Sequence, residues 1–198
     1  MADFLTAYQT TMAHEGSYSN DPRDRGGETW RGIARNFWPN WPGWAIVDEI
    51  RHNAGAKFIQ ALQADEELDG LVMKFYNDGF WEKLLCGEFD QEIAAELFDT
   101  AVNQGTGTAG GYLQEALNLL NKNQEHYLDI AVDGKPGAKT IAAYRAYMAT
   151  ASIPGRSHEK NIRTLMKCLN GLQFAKYAEI CKKTASQEVY FYGWVNRV

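Results

Sequence analysis

Three carboxylates, Glu15, Asp21 and Asp24, fall within ten residues of one another near the start of the chain. Glu15 closes a run in which Phe4, Leu5, Tyr8 and Met12 share one helical face, with Asp3 as N-cap and Gly16 as the stop. Asp21 and Asp24 lie in the polar loop that follows. Gly26-Gly27, a turn signal, then leads into Glu28-Thr29-Trp30, short enough for one strand of a hairpin. One carboxyl held at a helix end and faced by one or two others on a loop is the layout of glycoside hydrolysis. There an acid protonates the leaving oxygen and a second carboxylate serves the anomeric centre. A carboxylic acid gives up that proton near neutral pH only where apolar walls raise its pKa. Tyr18, Trp30, Phe80 and Trp81 are available to wall in Glu15, and a helix C-terminus disfavours its anion further. Asp24 or Asp21 would then be the second carboxylate, with Thr29 placing a water. The competing readings are plain: Asn20-Asp21-Pro22 is ordinary turn chemistry, and Asp24 between Arg23 and Arg25 is a surface ion pair worth little.

Eight residues separate Glu15 from Asp24, and four more separate Asp24 from Thr29. This resembles the Glu-x8-Asp-x5-Thr signature of phage-type lysozymes, one residue shorter in the second gap. The longer string Glu15-Gly16-x-Tyr18-x-Asn20-Asp21-Pro22-x-Asp24-x-Gly26-Gly27-x-Thr29-x-x-Gly32-Ile33 resembles the opening motif of glycoside hydrolase family 108. Four later segments are similar to that family or to peptidoglycan-binding helical modules. They are Lys74 to Trp81, Phe98-Asp99-Thr100-Ala101-Val102-Asn103-Gln104-Gly105, the turn beginning Val132-Asp133-Gly134, and the ending Gly193-Trp194-x-x-Arg197.

The resemblance implies a mainly α, lysozyme-like helical fold with one small β-hairpin near the N-terminus. It implies an N-acetylmuramidase that cuts peptidoglycan between N-acetylmuramic acid and N-acetylglucosamine. Glu15 is the expected general acid, Asp24 and Thr29 complete the catalytic set, and Tyr18, Asp21, Trp30, Asp99 and Asn103 meet the substrate. For Asp99 and Asn103, one turn apart, backbone bonding at a helix junction is the alternative. Members of the family are also described as secretion activator proteins, so a non-catalytic wall-binding or secretion-regulating protein is the second functional class. No cofactor and no metal are expected, and the partner is the peptidoglycan glycan strand, met as a monomer.

Placing those residues requires a set of helices. Helical spacing continues through Gly32–Trp38, Trp44–His52, Gly55–Gln63, Glu66–Leu85 and Asp90–Gln104. In the last of these Ile93, Leu97, Phe98, Ala101 and Val102 form a stripe. Between the first two, Trp38, Trp41 and Trp44 sit among prolines in an irregular turn. They line a glycan groove or form a hydrophobic lid. The Gly-rich stretch 105–111 marks a boundary, giving a hydrolase domain over 1–105 and a helical peptidoglycan-binding module over 106–198. That module has helices through Leu120, from about Thr140, and from His158 to about Thr184.

Composition limits the alternatives. Hydrophobic residues at 45% and charged residues at 23% describe a globular chain with a core. The net charge of −5 divides into −9 over residues 1–96 and +4 over 97–198. A basic C-terminal half can lean on an anionic polymer, whereas an acidic chain with no basic run is a poor match for nucleic acid. His14, His52, His126 and His158 lack zinc spacing, and no calcium loop, P-loop, dinucleotide fingerprint or nucleophile elbow is present. Cys86, Cys168 and Cys181 are expected as buried thiols, the last two about 20 Å apart on one helix. No run approaches the ~20 apolar residues of a membrane span. The first residues show no signal-peptide pattern, so synthesis in the cytoplasm is expected, with access to the wall after lysis or dedicated export.

Overall fold

The structure, a computed structural model, describes residues 1–12, 18–21 and 24–196. Two compact units emerge: Tyr8–Gly79, and Met1–Ala7 together with Phe80–Val198. The chain is mainly α-helical, with a small three-stranded antiparallel sheet near its N-terminus. Helix α1 (Phe4–Met12) starts where Asp3 caps it, with the Thr6 amide donating to Asp3 Oδ2 at 2.7 Å.

In the Tyr8–Gly79 unit, strands β1 (Tyr18–Ser19), β2 (Thr29–Trp30) and β3 (Ile33–Ala34) pair in the order β1-β2-β3. Tyr18 lies opposite Trp30, and Trp30 opposite Ile33. The helix expected over Gly32–Trp38 is absent, because Arg31 and Gly32 both take positive φ, 43° and 81°. That two-residue link turns the chain back as a strand and buries Ile33 completely. Trp30, Ile33, Trp44, Val47, Leu62, Leu68 and Val72 form the core with helices α2 (Gly43–Ala54), α3 (Phe58–Ala64) and α4 (Glu66–Tyr76). Asp65 caps α4 through the Leu68 amide at 2.8 Å, and Glu66, Glu67 and Asp69 complement its N-terminal dipole. The helix expected to run to Leu85 stops at Tyr76. The path goes on as a π segment (Asn77–Trp81) and a 3-10 turn (Glu82–Leu84), and ends at Leu85 with φ 54°.

The larger unit is built on α5 (Gln91–Gln104), α6 (Thr106–Leu120), α7 (Ala138–Ala149), α8 (His158–Lys183) and α9 (Glu188–Val195). Ile93, Leu97, Phe98 and Ala101 of the expected stripe are buried with Leu113, Leu117, Leu165 and Leu169, while Val102 is half-buried. Phe4 packs edge-on against both Trp81 and Phe98 at 5.7 Å. Gly105, at φ 90°, separates α5 from α6.

Residues 121–137 hold no helix or strand, yet two amides of α6, Gln114 and Asn118, and the C-cap Asn121 fasten them. Asn118 both accepts from the Ile130 amide (2.9 Å) and donates to the Ile130 carbonyl (2.8 Å). Asn121 donates to Asp129 at 2.6 Å, and Gln114 donates to Asp133 and accepts from the Gly134 amide, both at 2.8 Å. Gly110 and Gly134 let the two backbones meet. A Cβ on Gly134, at φ 71°, would stand 2.4 Å from the Gly107 carbonyl oxygen. Cys86 and Cys181 are buried free thiols and Cys168 is half-buried. No helix among the described residues is long and apolar enough to cross a membrane.

Candidate functional site

The hairpin places most of the residues read from the sequence. Its first loop is a chain of local bonds. The Asp24 amide donates to the Asp21 carbonyl (2.9 Å), the Gly26 amide to Asp24 Oδ1 (2.9 Å), and the Gly27 amide to the Asp24 carbonyl (3.0 Å). Asp24 is therefore exposed, and its carboxylate is fixed by an Asx-type turn. Both glycines are required. A Cβ on Gly26 would meet Ala34 Cβ at 2.9 Å, and Gly27 takes φ 65° against Asn36. Thr29 is half-buried and donates to the Gly27 carbonyl at 3.1 Å. Trp30 is 1% exposed, with its indole N–H buried and unpartnered among the described residues.

Glu28 is the residue the motif reading passed over. Its side chain, 10% exposed, accepts from the Tyr18 hydroxyl at 2.9 Å and from Arg51 Nη2, and forms an ion pair with Arg35 Nε at 3.0 Å without hydrogen-bond geometry. Asp48 receives both Arg35 guanidinium nitrogens (3.0 and 2.8 Å) and Arg51 Nη1 (2.6 Å). Two carboxylates and two guanidiniums thus alternate between the sheet and α2. Arg35 lies 4.4 Å above the Trp44 ring and Arg51 lies 5.2 Å from Phe58, against which Tyr18 packs edge-on at 5.1 Å. Arg31, at its positive φ, is held by an ion pair with Asp69 and by the Tyr76 hydroxyl, which donates to its carbonyl at 2.7 Å. The sheet is a braced platform. In the Trp-rich turn, Trp41 and Trp44 are buried, which is the lid reading, whereas Trp38 is 45% exposed and packs on Phe75 at 4.9 Å.

The general acid expected at Glu15 lies at residues 13–17, outside the described residues. The structure brings together Tyr18, Asp21, Asp24, Thr29 and Trp30 on one hairpin. Asp99 and Asn103 form a pair on α5 in the other unit, where Asn103 Nδ2 donates to the Asp99 carbonyl (2.9 Å) and to Asp99 Oδ2 (3.0 Å). One turn before Asp99, burial first and the Asp99 charge second push the Glu96 carboxyl up to about 7, with a hydrogen bond from Thr100 working the other way. The Thr100 hydroxyl sits 3.2 Å from Glu96 Oε1 and 3.3 Å from Gln173 Oε1. A single Glu on an amphipathic helix carries no signal in sequence that would have singled it out. Among the described residues, no group of three or more His, Cys, Asp or Glu side chains is placed to hold a metal ion.

The family described as Glycosyl hydrolase 108 matches residues 8–105, the span that holds this hairpin, its bracing helices and the Asp99–Asn103 turn. Residues 8–105 are a glycosyl hydrolase 108 domain. A second family, described as Predicted Peptidoglycan domain, matches residues 108–198 of the same chain. The two matches together support a peptidoglycan-related role, as a lysozyme-like hydrolase or as a binder. No curated protein matches the chain in sequence. A solved structure, titled "Structure of Brucella abortus SagA", is similar at 18% identity and TM-score 0.49, over 97% of this chain and 95% of that one.

Proposed function

We propose that the chain is a peptidoglycan hydrolase, an N-acetylmuramidase that cleaves the β-1,4 bond between N-acetylmuramic acid and N-acetylglucosamine. The observation that carries this reading is the glycosyl hydrolase 108 match over 8–105, joined on one chain to the peptidoglycan family over 108–198. In the reaction Glu15 gives its proton to the glycosidic oxygen as the bond from that oxygen to the anomeric carbon breaks. Asp24 or Asp21 stands by the positive charge that develops, and Thr29 positions the water that adds. The ion-pair network of Glu28, Arg35, Asp48 and Arg51 is the support for that loop: it lets a two-residue strand hold its residues in register. Residues 1–105 act as the hydrolase domain and 106–198 as the wall-binding module.

A second reading has its own observation. Asp24 already spends Oδ1 on the Gly26 amide, as a loop-forming residue in a non-catalytic wall-binding or secretion-regulating protein would. Turbidity of purified cell walls separates the two. Wild-type protein should clear them. The Glu15→Gln protein, which keeps size and polarity but loses the proton, should be slower by roughly 10²-fold or more. A folded Glu15→Gln protein that clears walls at the wild-type rate removes the muramidase mechanism. A wild-type protein that binds walls without clearing them favours the binder.

A further inference from the structure

A groove of about 330 Å³ lies in the larger unit where α7 ends and α8 begins, with Leu120, Tyr147, Pro154, Arg156, Lys160 and Thr164 among its lining residues. We propose that it binds an oxyanion, a carboxylate or a phosphate, carried on a ligand the size of one sugar or a dipeptide. Peptidoglycan supplies carboxylates and other wall polymers supply phosphates, so the carboxylate source rests on the peptidoglycan reading above.

Arg156 is built into the groove by a buried network. Asn161 Nδ2 donates to Thr150 Oγ1 at 3.1 Å and to the Tyr147 carbonyl at 3.2 Å. The Thr150 hydroxyl donates to the Tyr147 carbonyl at 2.7 Å, and the Tyr147 hydroxyl donates to the Asn161 carbonyl at 2.8 Å. All three residues are buried. Onto this network Arg156 Nη1 donates at 2.7 Å to Thr150 Oγ1, which fixes a half-buried guanidinium. Its side-on edge, Nε and Nη2, makes no hydrogen bond among the described residues, and neither atom is sealed from solvent. A charge drawn partly out of water without a counter-charge is costly, and an anion in the groove offsets that cost.

No carboxylate of the chain fills that role. None of the lining residues is acidic, and among the described residues neither Arg156 nor Lys160 has an ion pair. Acids of the neighbouring segments are engaged elsewhere. Glu159 accepts from the Ser157 hydroxyl at 3.2 Å, Asp129 from Asn121 at 2.6 Å, and Glu125 pairs with Lys122 at 2.8 Å. Residues 151–170 hold Arg156, Lys160, Arg163 and Lys167 against Glu159 alone, four less one or +3. Burial, the first cause, pushes the Tyr127 and Tyr147 hydroxyls above their ordinary value, while the Arg156 charge works the other way at both and no carboxylate acts on either. The start of α8 is not the anchor, because Ser157 already takes the Lys160 amide on Oγ (3.2 Å) and the Asn161 amide on its carbonyl (2.9 Å).

An oxyanion only accepts, and two of its oxygens fit side by side on the free guanidinium edge. Lys160 Nζ is tethered to the Gly155 carbonyl at 2.7 Å and keeps two protons for the same ligand. A neutral sugar gains neither charge interaction, and that difference selects the anion. Leu120 and Pro154 give an apolar wall for the rest of a small ligand.

The test uses the full chain at low ionic strength and three probes: N-acetylmuramic acid, N-acetylglucosamine, which is the same sugar without the lactyl carboxylate, and glycerol 1-phosphate. Binding is read by calorimetry and by the Arg156 Nε–H resonance, identified through Arg156→Lys. At least one anion should bind and shift that resonance, and the one that binds more tightly tells the source. N-acetylglucosamine should bind about tenfold more weakly than N-acetylmuramic acid or not at all if the carboxylate is the source. Arg156→Leu should weaken the anion by about tenfold or more, and Arg156→Lys should restore part of the loss. Lys160→Gln, on an exposed side chain, should weaken it by a few fold and serves if Arg156→Leu does not fold. Lys182→Gln makes the same charge change about 33 Å further along α8 and should leave binding unchanged. Equal binding of the two sugars with none of the phosphate, no resonance shift with either anion at millimolar concentration, or equal losses from Lys160→Gln and Lys182→Gln each overturns the proposal. Failure here with wall clearance intact removes the anion site only. Anion binding by a protein that clears no walls removes the muramidase reading and leaves the site standing.

Discussion

Glu96 offers a test that needs no substrate. Its carboxyl is pushed from an ordinary 4.5 up to about 7, chiefly by burial and then by Asp99. The folded protein therefore holds a proton that the unfolded chain releases nearer 4.5. Native protein binds more protons than unfolded protein between those values, so this group's contribution to stability is full below about 4.5 and is lost as pH rises through about 7. The interval corresponds to on the order of 3 kcal/mol, and residual solvent contact at a half-buried side chain reduces it to about 1–3 kcal/mol. Glu96→Gln stays neutral at every pH and still offers an oxygen to Thr100. Urea denaturation at pH 5 and pH 8 measures the effect. The variant should match wild type within about 1 kcal/mol at pH 5 and exceed it by about 1–3 kcal/mol at pH 8. In a chain of this length that is several degrees of melting temperature. If the difference between the two proteins is the same at both pH values, ionised Glu96 is not penalised in the folded state, and the burial argument fails.

Further outcomes are open to measurement. In wall clearance, Asp24→Asn should lower the rate less than Glu15→Gln if Asp21 or Thr29 can also place the water, and Thr29→Ala should fall between neutral and severe. Glu28→Ala removes the acceptor of Tyr18 and Arg51 and the ion-pair partner of Arg35 at once and should cost about 1–3 kcal/mol in denaturant unfolding. Asp48 still binds both arginines, so a larger loss would mean that the network acts as one unit. Gly134→Ala drives a Cβ to 2.4 Å from the Gly107 oxygen at φ 71° and should destabilise by about 2 kcal/mol or more. Lys122→Gly goes the other way. Lys122 sits at φ 57°, beside Asn123 and Gln124 in the same left-handed region, and relief of that conformation should stabilise by up to about 1 kcal/mol in thermal unfolding.

Most helices were legible because burial repeats along them: α2, α4, α5, α6 and α8 each start within a residue or two of where apolar spacing places them. The exceptions share a cause. Over Gly32–Trp38 the spacing mimicked a helix, but two consecutive positive-φ residues and a two-residue strand leave no periodicity to read. Glu66–Leu85 kept helical spacing through a π segment because one wider turn barely disturbs a pattern of large apolar residues. The helix α9 was missed for the opposite reason: Val189, Tyr190, Phe191, Tyr192 and Trp194 are apolar on every side, so no face stands out. At the candidate site, motif spacing led to Asp21, Asp24 and Thr29 but not to Glu28. The partners of Glu28 lie at 18, 35 and 51, and only the fold brings them together.

The amide face of α6 alters what an unstructured connection means. By composition, residues 121–137 invite proteolytic cutting, and much of the stretch is exposed. Cleavage requires the chain to extend into a protease, so Ile130 must first leave Asn118 and Gly134 must leave Gln114, while Asn121 lets go of Asp129. Opening therefore costs several bonds together. The amide protons of Ile130 and Gly134 should exchange with solvent nearly as slowly as those of the helix that holds them. An Asn or Gln at 114, 118 and 121 acts toward this segment as a neighbouring strand would, supplying donor and acceptor at helical spacing. A segment that looks like a linker on paper would then survive digestion with the helix it is bonded to.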